Sequence, residues 1–251
     1  MTLVYGQFDV AAVIVDLDGT LVDTLDDFVL ALNRMLGDLP APHQDHRIDR
    51  VTVAQLVGKG SEHLLKSVLA IATAADAATN LVAKADAAKR TEVVPDELES
   101  LYRLAWPSYQ RHYRAVNGQC AVVYPGVVAG LTQLQASGLR MACLTNKPTA
   151  FAQALLQAKG LDRFFEKTFG GDAFARKKPD PLPLLKTCEA LHCAPQRTLM
   201  IGDSSNDAQA ARAAGCPVLL VTYGYNHGQP IRAVAADGFT DSLQDLLPKL
   251  N

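Results

Sequence analysis

Two aspartates separated by one residue follow an apolar run near the start of the chain. The run covers residues 11–15 and is β-branched at three of its five positions, and Asp16, Asp18, Gly19 and Thr20 come after it. Neighbouring carboxylates repel each other, so a cation between them favours the ionised form of both. Mg²⁺ is usually held by one or two carboxylates with waters and phosphate oxygens. The pattern suits a metal site for a phosphorylated substrate, but taken alone it favours a solvated turn, since turns also favour Asp and Gly.

Three later segments carry groups that suit the same chemistry. Thr145 and Asn146 stand between an apolar run and a predicted helix, where a hydroxyl and an amide can donate to an anion. Lys178 stands before a proline, and lysine is a point-charge phosphate binder. Asp203 ends another apolar run, and Asp207 follows in the first turn of a helix. Each segment also has an ordinary alternative, namely a helix cap, a solvated basic turn or acids that favour a helix N-terminus.

Short apolar runs that alternate with amphipathic segments position these groups. The predicted strands are residues 11–15, 140–144, 167–169, 198–201 and 218–221, and the helices between them are 127–136, 148–158, 181–191 and 205–214. Strands that alternate with helices form parallel sheets, and such sheets bind ligands at the carboxyl ends of their strands. We therefore predict an α/β fold with a doubly wound, Rossmann-like parallel sheet.

The segment after the first strand is helical. Predicted helices cover residues 24–36, 51–57, 61–72, 73–89 with a break near Asn80, and 95–113 with a kink or boundary at Pro107, and no convincing strand lies between residues 25 and 118. The sequence therefore predicts a core domain of residues 1–23 and 119–251. An all-helical cap domain of residues 24–118 would lie over the strand ends as a lid.

The segment DLDGTLVDT, residues 16–24, resembles the first motif of the haloacid dehalogenase superfamily. The resemblance implies that Asp16 is a nucleophile that forms an aspartyl-phosphate. It implies that Asp18 is the general acid and base, and this second aspartate favours phosphoryl chemistry over carbon–halogen cleavage. The other three segments match the family's remaining motifs in order.

The resemblance also implies roles for those segments. Thr145 and the backbone N–H of Asn146 would hold a phosphoryl oxygen, and Lys178 would supply a fixed positive charge. Asp203 would complete the shell of a Mg²⁺ ion shared with Asp16 and Asp18. Asp207 would orient this shell or bind Lys178.

Further stretches resemble the bacterial phosphoglycolate phosphatases, including residues 57–60, 124–127, 145–149, 215–217, 221–228 and 241–248. Gly58, Lys59 and Gly60 would form a substrate-specificity loop that binds the substrate carboxylate, and the alternative is a plain turn. The resemblance implies a phosphomonoester hydrolase for 2-phosphoglycolate. Another small phosphomonoester such as a sugar phosphate or nucleotide, a phosphomutase, and a non-catalytic binding protein are the alternatives.

The bulk composition limits the partners. The 251 residues carry a formal net charge of −2, which gives no reason to expect nucleic acid as a partner. No apolar run approaches the about 20 residues that cross a bilayer. The five cysteines are an odd number without a C-x-x-C pair, and no signal peptide is evident, so we expect a cytoplasmic protein. The expected partner is a small phosphorylated metabolite, and the chain is expected to be a monomer or a homodimer.

Overall fold

A parallel sheet of six strands contains the five strands that the sequence predicts. The structure is a computed structural model that describes residues 3–5, 8–83 and 95–246. The strands are β1 Leu3–Tyr5, β2 Phe8–Val10, β3 Ala12–Val15, β4 Val22–Asp23, β5 Val122–Val123, β6 Arg140–Leu144, β7 Lys167–Phe169, β8 Thr198–Gly202, β9 Val218–Val221 and β10 Gly238–Thr240. The helices are α1 Leu25–Gly37, α2 Arg50–Leu56, α3 Ser61–Ala83, α4 Pro95–Val116, α5 Val127–Ala136, α6 Thr149–Ala158, α7 Leu182–Ala190 and α8 Ser205–Ala214.

The strand order in the large sheet is β10-β9-β8-β3-β6-β7, and every neighbouring pair is parallel. The first strand of the sheet, β3, lies at its centre, and the chain builds outward on one side before it crosses to the other. This is a doubly wound sheet, so the predicted fold class is confirmed. The crevice beside β3, where the strand order reverses, is the place where such sheets bind ligands.

Strand β3 shows why the sheet is buried on both faces. Val13 and Val15 pack in the cluster that includes residues of α5 and α6, whereas Ala12 and Ile14 pack in the cluster that includes residues of α7 and α8. All four side chains are fully buried. A strand with helices on both faces reads as a continuous apolar run, as residues 11–15 do.

Helices α1 to α4 form an apolar cluster separate from the two on the sheet, within the described residues from Leu25 to Val116. Phe28 of α1 and Tyr113 of α4 stack with their ring centroids 5.0 Å apart. The described part of this segment contains no strand, as predicted. The short antiparallel pair β4–β5 joins its two ends to the core, and the proposed division into domains at residues 23 and 119 stays a prediction.

Some local predictions were wrong. Helix α3 continues through Asn80 to Ala83 without the predicted break, since its alanine-rich sequence has high helix propensity. Pro107 lies inside α4 and is not a boundary, because the helix runs to Val116. The predicted helical residues 84–89 lie outside the described residues. In the described part of the chain, none of the helices combines the length and apolar character needed to cross a membrane.

Candidate active site

The register of the sheet brings the first and last motifs together. Val15 pairs with Ile201 of β8 and with Cys143 of β6, so the residues that follow these strands meet at one edge. The backbone N–H of Asp16 donates to the carbonyl of Ile201 at 2.9 Å, which continues the ladder up to the first aspartate. The edge of the sheet therefore positions Asp16 beside Asp203 and Thr145.

Lys178 connects two of the buried acids. Its Nζ lies 3.0 Å from Asp16 Oδ1 and 2.7 Å from Asp207 Oδ1, and it also donates to the carbonyl of Leu144 at 2.8 Å. Its side chain is 2% exposed. Burial lowers the pKa of Lys178, but Asp16 and Asp207 outweigh burial and hold the pKa above its ordinary value. The amine is thus a permanent positive charge beside Asp16.

Asp16, Asp203 and Asp207 form a group in which one carboxylate oxygen of each lies within 4.8 Å of the others. Burial raises the pKa of Asp16 from 3.8 to about 7, and Asp207 adds to this while Lys178 opposes it. Burial, together with Asp207 and Asp16, also holds the pKa of Asp203 well above its ordinary value. The raised pKa values mean that the ionised cluster needs more positive charge than Lys178 provides.

Asp207 differs from Asp203 because its two oxygens together accept four hydrogen bonds, whereas those of Asp203 accept two. Oδ1 accepts from Lys178, and Oδ2 accepts from the backbone N–H groups of Asp203 and Ser204, each at 3.2 Å, and from the Ser204 hydroxyl at 2.7 Å. These bonds cap the N-terminus of α8 and orient Lys178. The contacts favour a supporting role for Asp207, with Asp16 and Asp203 left as oxygen donors for a cation.

Asp203 is held by residues that the sequence analysis did not select. Its Oδ1 accepts from the Thr20 hydroxyl at 3.3 Å, and its Oδ2 accepts from the backbone N–H of Tyr225 at 2.8 Å. The Tyr225 hydroxyl accepts from the N–H of Thr24 at 2.8 Å and donates to Asp23 Oδ1 at 2.9 Å. Tyr225 lies in a stretch used for the resemblance, but only the fold shows that it joins the first and last motifs.

Asp18 lies beside this group rather than in it. Its Oδ1 accepts from the Thr24 hydroxyl at 2.8 Å and from Lys147 Nζ at 2.7 Å. The predicted contribution of Asp18 to a metal ion stays a prediction. Lys147 is a site residue that the sequence analysis quoted within a motif without assigning it a role.

Asn146 joins the core to the predicted specificity loop. Its Nδ2 donates to the carbonyls of Gly58 at 2.9 Å and Lys178 at 2.8 Å, and its Oδ1 accepts from the N–H of Lys178 at 3.0 Å. Thr145 is buried, and its Oγ1 accepts from the backbone N–H of Lys147 at 3.2 Å. The side chain of Asn146 is therefore used for structure, while the phosphate role predicted for the backbone N–H stays a prediction.

A small cavity lies between the core motifs and the helices above them. Its lining comes from the strand ends and from the loop before α3, and consists of Asp16, Asp18, Phe28, Val57, Gly58, Gly60, Ser61, Leu64, Thr145, Asn146 and Lys147. Gly58 and Gly60 thus face the site, whereas Lys59 is exposed and is not part of the lining. The space is small and combines apolar walls with two acids and one lysine, which suits a small anionic substrate.

Known proteins are similar to this chain in sequence and in fold. The family described as haloacid dehalogenase-like hydrolase matches residues 10–215. The phosphoglycolate phosphatase of Thiobacillus denitrificans is 40% identical over 238 residues, covering 94% of this chain and 93% of that protein. The phosphoglycolate phosphatase of Escherichia coli strain K12 is 36% identical over 244 residues, covering 96% and 93% respectively.

Solved structures give the same result. A crystal structure described as a predicted phosphoglycolate phosphatase from Haemophilus somnus superposes with a TM-score of 0.80 at 31% identity, covering 95% of this chain and 97% of that chain. The protein CbbY from Rhodobacter sphaeroides, solved with phosphate, has a TM-score of 0.71 at 22% identity, covering 96% of this chain and 99% of that chain. At that identity the second likeness concerns the fold alone.

Proposed function

This chain belongs to the haloacid dehalogenase-like hydrolases and is a phosphoric monoester hydrolase, and from that premise we propose a Mg²⁺-dependent hydrolysis of 2-phosphoglycolate through an aspartyl-phosphate at Asp16. The observation that carries the mechanism is the buried Asp16 carboxylate, which lies 3.0 Å from the Nζ of Lys178 and lines the cavity. The substrate rests on relatives named phosphoglycolate phosphatase, which align over nearly the whole chain.

A divalent cation fits the charge of the site. Asp16, Asp18, Asp203 and Asp207 sum to −4 when ionised, and Lys147 and Lys178 sum to +2, which leaves −2 among buried or nearly buried groups. Carboxylate oxygens are the ligands that Mg²⁺ prefers. Asp16 and Asp203 would hold the ion, and Asp18 is predicted to contribute. When bound, Mg²⁺ supplies positive charge that stabilises the phosphoryl oxygens.

The chain's own residues would perform two displacements. In the first, a carboxylate oxygen of Asp16 forms a bond to phosphorus while the bond between phosphorus and the ester oxygen breaks. Asp18 donates a proton to that oxygen, so that glycolate leaves. Lys178, the Thr145 hydroxyl and the N–H of Asn146 bind the phosphoryl oxygens and keep the attack in line.

In the second displacement, Asp18 removes a proton from water, and the water oxygen attacks phosphorus. The bond between phosphorus and Asp16 breaks, which restores both carboxyl groups and releases inorganic phosphate. The hydrogen bonds from Thr24 and Lys147 fix the position of Asp18 for both proton transfers. General acid or base catalysis of this kind typically contributes about 10²–10⁴ in rate.

A phosphate-release panel with Mg²⁺ tests the proposal. The panel contains 2-phosphoglycolate, sugar phosphates and nucleotides, with Asp16→Asn as the inactive variant and the exposed Asp162→Asn as a matched control. We expect phosphoglycolate to have the highest kcat/KM, and Asp16→Asn to lose at least about 1,000-fold. If Asp16→Asn is folded and as active as wild type, Asp16 is not the nucleophile.

The panel also separates the alternatives. If a sugar phosphate or nucleotide has a higher kcat/KM than phosphoglycolate, the proposed substrate is wrong but the proposed mechanism stands. An isomeric phosphate ester without free phosphate indicates a mutase, and no reaction with any ester indicates a binding protein. The cytoplasmic location and the monomeric or homodimeric state stay predictions.

A further inference from the structure

Lys147 is a buried charge in the cavity, and the proposed reaction uses it only to hold Asp18 in place. Its side chain is 1% exposed, and it lines the same cavity as Asp16 and Asp18. Lysine is almost never buried without a partner or a function, because burial removes the hydration of the ammonium group. The fold therefore places a second positive charge beside the reacting groups, paired with Asp18 whereas Lys178 is paired with Asp16 and Asp207.

Three contacts hold the ammonium group. Its Nζ lies 2.7 Å from Asp18 Oδ1, 4.6 Å from the centre of the Phe28 ring and 5.1 Å from the centre of the Tyr113 ring. The aromatic faces stabilise the charge without accepting an ordinary hydrogen bond. A lysine ammonium has three N–H donors, and Asp18 uses one of them. Donors thus remain for an acceptor inside the cavity.

The position of Lys147 relative to Asp18 limits what that acceptor can be. Asp18 is the acid that protonates the leaving oxygen, so this oxygen lies against its carboxylate during the first displacement. The amine lies within hydrogen-bond distance of that carboxylate. It can therefore reach the atoms that are attached to the leaving oxygen. In 2-phosphoglycolate a single CH₂ group separates the leaving oxygen from a carboxylate.

We propose that Lys147 is a specificity-determining residue that binds the carboxylate of the leaving group. The assignment rests on the proposed function and extends it, because it states which group distinguishes phosphoglycolate from a neutral ester. The apolar residues of the lining are Phe28, Val57 and Leu64. These side chains disfavour contact with a charged group, whereas the amine favours an anion.

The specificity loop supports this role through its backbone. Gly60 and Ser61 line the cavity at the start of α3, a helix of 23 residues, where free N–H groups favour an anion. The carbonyl of Gly58 accepts from Asn146, which fixes the loop against the core. Lys59, which the sequence analysis selected for the carboxylate, is exposed, and its role stays a prediction. The two lysines therefore make separate, testable claims.

The experiment compares two isosteric esters, 2-phosphoglycolate and its carboxamide analogue, in which the charged carboxylate is replaced by a neutral amide. Both are assayed with Mg²⁺ on wild type, Lys147→Met, Lys147→Arg and Lys159→Met. Lys159 follows the C-terminus of the same helix, α6, whose N-terminus Lys147 precedes, so it is a matched control away from the cavity. Circular dichroism and thermal unfolding report whether each variant is folded.

We expect wild type to prefer the carboxylate ester. Both esters should lose activity in Lys147→Met because Asp18 is no longer held in place. For phosphoglycolate, kcat/KM should fall about 100-fold further than for the carboxamide, because only its carboxylate loses an ion pair with the amine. Lys147→Arg should keep most of the preference, and Lys159→Met should match wild type. A Lys147→Met variant that loses equally on both esters overturns the assignment and leaves the phosphatase proposal intact.

Wild type alone provides an independent test that needs no variant to fold. If it hydrolyses both esters with the same kcat/KM, the amine does not recognise the carboxylate, and the inference is wrong. If wild type releases no phosphate from phosphoglycolate but hydrolyses another ester, the proposed substrate fails, and the assignment of Lys147 fails with it.

Discussion

Without a bound cation, the stability of this protein should fall as the pH rises from about 4 to about 7. Burial, with Asp207 adding and Lys178 opposing, raises the pKa of Asp16 from 3.8 to about 7. Between these values the unfolded chain has lost the proton and the folded chain has kept it. The folded state then binds more protons, so the free energy of unfolding decreases with pH and levels off above about pH 7.

The size of the effect follows from the two pKa values. At roughly 1.4 kcal/mol for each pH unit, the difference between 3.8 and about 7 amounts to about 4 kcal/mol for Asp16. The pKa of Asp203 is raised in the same direction, first by burial and then by Asp207 and Asp16. A cation that binds the ionised carboxylates removes this cost, since metal ligands bind in their deprotonated form.

Urea unfolding in EDTA, followed by circular dichroism between about pH 4 and about pH 8, measures the effect. Asp16→Asn is the comparison, because an amide does not titrate there. The free energy of unfolding of the variant minus that of wild type should increase by about 4 kcal/mol over this range. In Mg²⁺ most of the increase should disappear. A difference that stays constant with pH in EDTA refutes the reasoning.

Two further substitutions test how the site is supported. Asp207→Asn should destabilise the protein by about 3–5 kcal/mol, because it leaves the buried Lys178 with one fewer anion. The control Glu189→Gln, which removes an exposed ion pair with Lys186, should cost less than about 1 kcal/mol. Equal losses of unfolding free energy in urea would contradict the role of Asp207. Gly19→Ala should lose about 100-fold in kcat by displacing Asp203, since the added Cβ would lie 2.2 Å from Asp203 Oδ2 at a φ of +85°. Gly138→Ala, at a φ of +73° with nothing within 4 Å of its Cβ, carries similar backbone strain and should keep its kcat, and an equal loss in both would assign the effect to strain alone.

The core strands were predictable because their burial on both faces leaves a clear sequence pattern. Residues 11–15 and 198–201 are nearly continuous apolar runs, and the structure places β3 and β8 there as neighbours. The pair β1–β2 and the edge strand β10 were missed, since three residues are too few to show a period. The equally short β7 was predicted because it lies between two predicted helices in the alternating part of the chain. Local pattern therefore reveals the centre of the sheet better than its margins.

The candidate site was most directly predictable where its residues follow strands. Asp16, Thr145 and Asp203 come directly after central strands, so the register of the sheet brings them to one edge. Lys147 received no role because its partners Phe28 and Tyr113 come from helices far away in the sequence. The same holds for Tyr225, which joins Asp203 to Thr24, a residue 201 positions away in the sequence. Contacts of this kind depend on the packing of the helices on the sheet, which no local pattern shows.

Trapping of the covalent intermediate tests the central claim most directly. Wild type is mixed with radiolabelled phosphoglycolate and Mg²⁺ and quenched in acid within one turnover, and the label is located by peptide mapping. We predict a hydroxylamine-sensitive label on the peptide that contains Asp16 and no label on Asp16→Asn. A label on another residue, or phosphate release by Asp16→Asn at the wild-type rate, would contradict the account.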